Sequence, residues 1–446
     1  MSTTAALRLR LSTGASAARP RLTGRIASVT GLVVDVEGID AAVGELVLLA
    51  SSTGLDGVPA EVVGIDRGRV RCMPLGPVAG LRAGDRVVGS GGGLTLRVGG
   101  DLLGRVLDGL GQPLDAGPEL RGEVADVEAA APPALLRQRV QTPISLGVRA
   151  LDTLVTAGRG QRVGIFAGSG VGKSTLLSMI VRGTTAAVSV LALVGERGRE
   201  VREFIEGDLG EVGLSRAVVV VATSDAPPVV RLRAAFVATR IAEWFRDQGH
   251  DGVLMMDSLT RVAMAQREIG LSCGEPPATR GYPPSTFALL PRLLERAGPA
   301  QHGTITGIYT VLVEGDDHNE PIADAARSIL DGHVTLDRRL ATSGHFPAID
   351  VLASVSRVVS AVTTSPQRAQ ASVLRRALAA HRDARELIEV GAYAVGSNPD
   401  VDAAVTMWPA ITAFLRQDAD EQVDVDEAWR HLGALTDALV QAGARP

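Results

Sequence analysis

The sequence predicts a chain of three parts in the order β, α/β, α: a small N-terminal β-barrel, a parallel-sheet core and a C-terminal helical domain. Residues 22–96 are short β-branched runs punctuated by glycine, as at 31–36 and 61–65, and that spacing reads as a small antiparallel barrel. From about 150 to 362, apolar runs at 163–166, 188–194, 217–221 and 252–256 alternate with helical patterns. Continuous apolar runs are what strands buried on both faces look like, and the helical stretches between them supply the crossovers. After Pro366 the period turns helical, with Leu374, Leu378, Leu387 and Ile388 at turn spacing, and Pro399 and the acidic stretch from Asp418 to Asp426 divide it into three helices. The expected boundaries are a flexible N-terminal tail at 1–21, the barrel at 22–96, the core at 97–362 and the helical domain at 363–446.

Composition narrows the function. The chain has 446 residues, 46% hydrophobic and 21% charged, with a net charge of -5 that argues against a dedicated nucleic-acid binder. Aromatic residues at 3% leave few platforms on which single-stranded bases could stack. Cys72 and Cys273 lie far apart and outside any metal-ligand spacing, which fits a reducing cytoplasm. Met1 to Arg21 lacks the apolar stretch of a signal peptide, and no run approaches the roughly 20 apolar residues that span a bilayer, so any membrane association is expected to be peripheral.

Specific chemistry begins at Ala167-Gly168-Ser169-Gly170-Val171-Gly172-Lys173-Ser174-Thr175, a glycine-rich turn between a strand ending at Phe166 and a helix starting near Ser174. Such a loop directs backbone N–H groups and the helix dipole at polyphosphate. Lys173 would reach the β- and γ-phosphates, and Ser174 would place its hydroxyl on Mg²⁺. The first glycine of the usual pattern is Ala167 here. Of the 45 basic residues, only Lys173 is a lysine. An ammonium is a compact charge with rotatable donors and a guanidinium is a broad planar fork, so arginine cannot replace lysine within a cradle of N–H groups.

Two carboxylates follow apolar strands. Asp257 ends the run 253–256 at the carboxyl edge of the sheet, where it can hold a water on Mg²⁺. Glu196 ends the strand through Val194 and Gly195 and can orient or deprotonate an attacking water. Either alone reads equally as a helix cap; both at one edge beside a phosphate loop favour nucleotide hydrolysis.

Residues from about 97 to 362 resemble the RecA-like P-loop core of the hexameric ATPases related to the rotary ATPases, with 347–356 (PAIDVLASVS) fitting that superfamily's signature. Segments 195–205 (GERGREVREFI), 256–270 (MDSLTRVAMAQREIG), 274–282 (GEPPATRGY) and 314–321 (EGDDHNEP) resemble the flagellar protein-export ATPases. The resemblance implies ATP and Mg²⁺ as cofactors. It casts Glu196 as the catalytic glutamate, Arg197 as its partner across a subunit interface, Asp257 as the Mg²⁺-site aspartate, and Arg261 and Tyr309 as site neighbours. Phe346 falls where this superfamily stacks an aromatic, commonly tyrosine, on adenine. Arg357 falls at the place of an arginine finger, a group worth about 10³ to 10⁵ in rate, and implies a homohexamer with sites between subunits.

Three functions share these features: a protein-export ATPase, a rotary ATP synthase subunit and an RNA translocase. The 314–317 and 274–277 segments resemble the export branch, and residues 22–96 contain no Phe, Tyr or Trp for RNA stacking. Within the export branch, Met255-Met256-Asp257-Ser258 and Leu336-Asp337-Arg338-Arg339 resemble the flagellar system, with the virulence-type secretion system as the alternative. The partners implied are a stator-like regulator, a central stalk protein, an export gate, and export chaperones and substrates, at the inner face of the cytoplasmic membrane. The N-terminal stretch from Leu7 to Leu11 with Arg19 and Arg21 reads as a regulator- or lipid-docking element or a disordered basic tail. Arg375, Arg376, Arg382 and Arg385 form an arginine-rich helical face that reads either as partner-facing or as solvated.

Overall fold

The computed structural model describes residues 23–50, 57–313 and 320–445; the predicted tail at 1–21 and most of the 314–321 motif lie outside them. The chain divides into two compact units.

The first unit, residues up to Leu94 with the short segment Leu271–Glu275, holds the barrel. Its strands are β1 (Thr23–Thr30), β2 (Val33–Glu37), β3 (Leu46–Ala50), β4 (Val58–Asp66), β5 (Arg69–Pro74) and β6 (Arg86–Gly89). They close antiparallel in the order β1-β2-β5-β4-β3-β6. Side chains alternate across a strand, so Ile26, Val34, Val36, Val47, Leu49, Val62, Val70 and Val87 all point into one small core.

The second unit begins at Thr95 rather than Arg97 because β7 (Thr95–Val98) pairs with β9 (Glu123–Asp126) in a two-stranded ribbon. Its main sheet comprises β8 (Val106–Asp108), β10 (Arg162–Ala167), β11 (Val188–Glu196), β12 (Ala217–Thr223), β13 (Asp251–Asp257), β14 (Gly298–Pro299), β15 (Thr304–Leu312), β16 (Gly332–Leu336) and β17 (Ile349–Ser356). The order is β17-β16-β10-β15-β13-β11-β12-β8, parallel except for β17 on β16, with β14 attached antiparallel to β15. All of β11 up to Gly195 is buried, as a strand covered on both faces should be. The helix Pro228–Asp247 packs on β11, β12 and β13. Because β10, β11, β13 and β15 run parallel, their carboxyl ends share one edge.

Three long helices follow: Ser365–Glu389, started by a Thr364/Gln367 capping box, Pro399–Leu415, capped by Asn398, and Val425–Gln441, capped by Asp424. They do not form a separate core. Leu374, Ala403 and Leu432 belong to the same apolar cluster as Leu151 and Leu176 of the nucleotide-binding region. Arg149 strengthens the junction by donating to the carbonyls of Ala413, Phe414 and Arg416. The expected arginine face divides: Arg375 turns inward to the carbonyls of Leu154 and Ser354, whereas Arg382 and Arg385 stay in solvent. Among the described residues no helix is long and apolar enough to cross a membrane.

Candidate active site

The phosphate loop leaves β10 and enters the helix Lys173–Gly183. Gly170 and Gly172 hold φ of 75° and 87°, left-handed values that a side chain resists, and the turn they permit aims the helix N-terminus outward. Val171, 1% exposed, anchors the loop in the core while Ser169 and Gly170 stay accessible. Ala167 is buried at the strand end, and Gly168 is buried beside it. Ser174 is exposed in the first helical turn, followed by half-buried Thr175.

The predicted carboxylates meet the lysine. Lys173 Nζ lies 2.6 Å from Asp257 Oδ1 and 3.4 Å from Glu196 Oε1. Adjacent parallel strands β11 and β13 end at the same edge and bring the two acids together, with a register break between Val194 and Glu196. Burial lowers the affinity of Lys173 for its proton, but Asp257 and Glu196 outweigh it and hold the ammonium above its ordinary pKa. Glu196 is pushed above the usual carboxylate range, chiefly by burial and then by Asp257, with Lys173 opposing.

Arg261 lies against the strand end at Gly195, where a Cβ would come within 2.9–3.3 Å of its aliphatic stem. Its charge acts on Glu196. A Cβ on Gly172 would meet the Phe346 ring at 3.3 Å, so this aromatic stands beside the loop, 45% exposed, with a face available to a flat ligand.

Three sequence expectations sit elsewhere in the single chain. Tyr309 is fully buried, and its ring folds back over Gly307 toward the charges of Arg162 and Asp331. Successive strand residues face opposite sides, so within one chain Tyr309 faces the core and not the side on which Thr310 meets Asp257. Arg197 is 78% exposed and paired with Glu200 at 3.1 Å, turned off its own site. Arg357 lies at the opposite edge of the sheet: its N–H donates to Asp331 O, and Asp331 N–H donates to Arg162 O at the start of β10. The length of β10 alone, roughly 17 Å, separates that edge from the phosphate loop, beyond the reach of an arginine side chain.

Two residues that no sequence expectation assigned to the site join it. Thr310 Oγ1 lies 2.7 Å from Asp257 Oδ1, and Arg338 donates to Ser169 O of the phosphate loop at 3.1 Å. Strand alternation could have flagged Thr310, because it faces oppositely to Tyr309; nothing local points to Arg338.

The donor set fits magnesium. Ser174 and Asp257 supply hard oxygens, and among the described residues no group of three or more His, Cys, Asp or Glu could hold a metal unaided. Mg²⁺ needs few protein ligands because phosphate and water complete its shell.

The beta-barrel domain of the ATP synthase alpha/beta family matches residues 26–91, and that family's nucleotide-binding domain matches 147–356. The T3SS EscN ATPase C-terminal domain matches 363–434. The flagellum-specific ATP synthase of Bacillus subtilis (strain 168) is 49% identical over 416 residues, covering 93% of this chain and 95% of the relative. This chain belongs to the family of flagellum-specific and type 3 secretion ATPases. A type 3 secretion system ATPase of Xanthomonas euvesicatoria is 48% identical, covering 93% of this chain and 94% of that one. The structure of assembled EscN from the enteropathogenic E. coli type III secretion system superposes with a TM-score of 0.88 at 45% identity, covering 93% of this chain and all of that one. EscN in complex with its central stalk EscO matches with a TM-score of 0.86 at 44% identity, covering 93% of this chain and all of that one. As a type III export ATPase, the chain is an ATP-hydrolysing phosphate-loop enzyme with the barrel, parallel-sheet and helical parts of its family.

Proposed function

We propose that this ATPase works as a homohexameric ring whose sites lie between subunits, and that the ring energises flagellar type III protein export, including release and unfolding of substrates and their chaperones. The observation that carries the ring is the position of Arg357, at the sheet edge opposite Lys173 and exposed to solvent. A finger there serves a neighbour's nucleotide.

Within one site, the loop N–H groups of residues 168–174 and Lys173 hold the phosphates, and Phe346 stacks on the base. Ser174 and Asp257 would hold Mg²⁺, which when bound neutralises phosphate charge. Glu196 orients the attacking water and accepts its proton, a role that a raised pKa suits. Arg261 keeps positive charge beside that glutamate, and Arg197 reaches across the interface. The neighbour's Arg357 stabilises charge on the transferring phosphoryl group.

Subunit mixing tests the ring. Lys173→Ala and Arg357→Ala proteins, each inactive alone, regain ATPase activity when combined, because some interfaces in a mixed ring carry both intact groups. Failure at every mixing ratio, with both variants folded and assembled, would refute shared sites.

A central stalk protein is the partner best supported, since EscN forms a complex with its stalk EscO. A stator-like regulator, an export gate and chaperone–substrate pairs complete the proposed set, with the enzyme cytoplasmic and peripheral at the inner face of the cytoplasmic membrane. The virulence-type reading keeps support of its own, because relatives of both kinds stand at 48–49% identity. Deleting the gene separates the two: loss of motility supports the flagellar role, and loss of effector secretion with motility intact overturns it.

A further inference from the structure

We propose that Thr310 is the positioning residue of the metal-site carboxylate, and that its hydroxyl keeps Asp257 aligned for magnesium when Lys173 turns to the phosphates. This rests on the reading of Asp257 as a Mg²⁺-site residue.

Thr310 lies on β15 one step beyond the Met256–Tyr309 pairing with β13, which sets it beside Asp257 at the carboxyl edge. It is fully buried, and so is the aspartate apart from about 5% of its surface. The Thr310 Oγ1 has one proton and two acceptors in range, Asp257 Oδ1 at 2.7 Å and Met256 O at 3.3 Å. The shorter bond goes to the charged oxygen, where the proton is held more strongly. Met256 O lies within the β13–β15 ladder.

Both side-chain donors that reach Asp257 among the described residues, Thr310 and Lys173, land on Oδ1. That fixes the plane of the carboxylate and leaves Oδ2 without a donor among the described residues, available to water on a cation. The two donors differ in what nucleotide does to them. A γ-phosphate competes for the flexible ammonium of Lys173. It has no access to the Thr310 hydroxyl, which is sealed in the sheet on a β-branched side chain with a stiff χ1. Thr310 is therefore the tether that persists through the catalytic cycle, and its neighbour Tyr309, facing the other side of the sheet, contributes nothing to it.

The test compares wild type with Thr310→Val, Thr310→Ser and Asp257→Asn. Valine keeps the volume and branching and removes the hydroxyl; serine keeps the hydroxyl and removes the methyl. The readouts are Mn²⁺ affinity of the nucleotide-loaded protein by electron paramagnetic resonance, and affinity for a fluorescent ATP analogue in magnesium and in EDTA. Thr310→Val weakens Mn²⁺ binding about tenfold, the usual effect of losing a hydrogen-bond partner behind a metal ligand, and leaves analogue affinity in EDTA at the wild-type value. Thr310→Ser returns Mn²⁺ affinity toward wild type. Asp257→Asn abolishes the gain in analogue affinity that magnesium confers. If Asp257→Asn keeps that gain, the metal-site reading itself fails. If Asp257→Asn loses it while Thr310→Val binds Mn²⁺ like wild type, or if serine is as impaired as valine, the positioning role of Thr310 is overturned.

Discussion

Replacing Tyr309 with phenylalanine is expected to stabilise the protein and leave its ATPase activity intact. The side chain is completely buried, and among the described residues its hydroxyl has no hydrogen-bond partner. Burial drives the phenol pKa upward, so the hydroxyl is protonated at neutral pH. A buried donor left unmatched costs about 1–3 kcal/mol of desolvation, and the variant forfeits only the dispersion contacts of one oxygen. The net expectation is a gain of about 1 kcal/mol, a rise of roughly 2–4 °C or less in the midpoint of a unit this large. Differential scanning calorimetry of the nucleotide-free protein measures it, with the transition of the nucleotide-binding unit followed separately because the chain has two units. A parallel steady-state assay reads kcat and KM for ATP. A loss of 1 kcal/mol or more would show that the hydroxyl is satisfied, and a tenfold fall in kcat would return Tyr309 to the active site; either result refutes the reasoning from burial and strand alternation.

Arg296 and Glu243, each about 1% exposed, form a two-pronged ion pair with bonds of 2.8 and 2.7 Å, so Arg296→Ala leaves the buried carboxylate with the more distant Arg240, at 3.7 Å, and costs about 3 kcal/mol in urea unfolding; a loss below 1 kcal/mol would mean that Arg240 or water takes over the pairing. Glu196 has a folded pKa raised above 4.5, so the stability it contributes is present below 4.5 and lost as pH rises through the folded value. Glu196→Gln therefore raises the thermal midpoint at pH 7, and the advantage closes in acid; a variant less stable than wild type at pH 7 contradicts this. Phe346→Ala removes the stacking face, worth about 1–3 kcal/mol, and weakens ATP binding roughly 5- to 150-fold, whereas Phe346→Tyr binds at near wild-type strength. Equilibrium titration with a fluorescent analogue distinguishes them, and equal affinities for alanine and tyrosine would assign Phe346 to packing alone.

The phosphate loop was legible because its chemistry is local: glycines at 170 and 172 take left-handed angles, and the next residues begin a helix. Asp257 and Glu196 were legible because each ends a run of buried residues, and parallel strands of similar length deliver their ends to one edge. Tyr309, which the family resemblance sets near the site, is buried in this chain, and its neighbour on the same strand, Thr310, is the one that faces Asp257. The boundary between barrel and core moved to Leu94 because β7 finds its partner β9 some thirty residues on, a pairing no local pattern announces. Arg338 joined the loop through a bond spanning 169 positions, and Arg375 left the expected surface face because the carbonyls of Leu154 and Ser354 were open to it.

By itself, then, the sequence determined the three-part architecture, the phosphate loop and the two acids that end its neighbouring strands, because backbone angle, strand period and charge type act over a few residues. The tertiary structure alone decided which groups share a site. It joined Lys173 to Asp257 and Glu196 across 84 and 23 positions, put Thr310 behind the aspartate, and carried Arg357 to the far edge of the sheet. The physical reason is that distance in a sheet follows strand order and direction: β17 runs antiparallel on β16, so its last residue emerges at the edge where β10 begins.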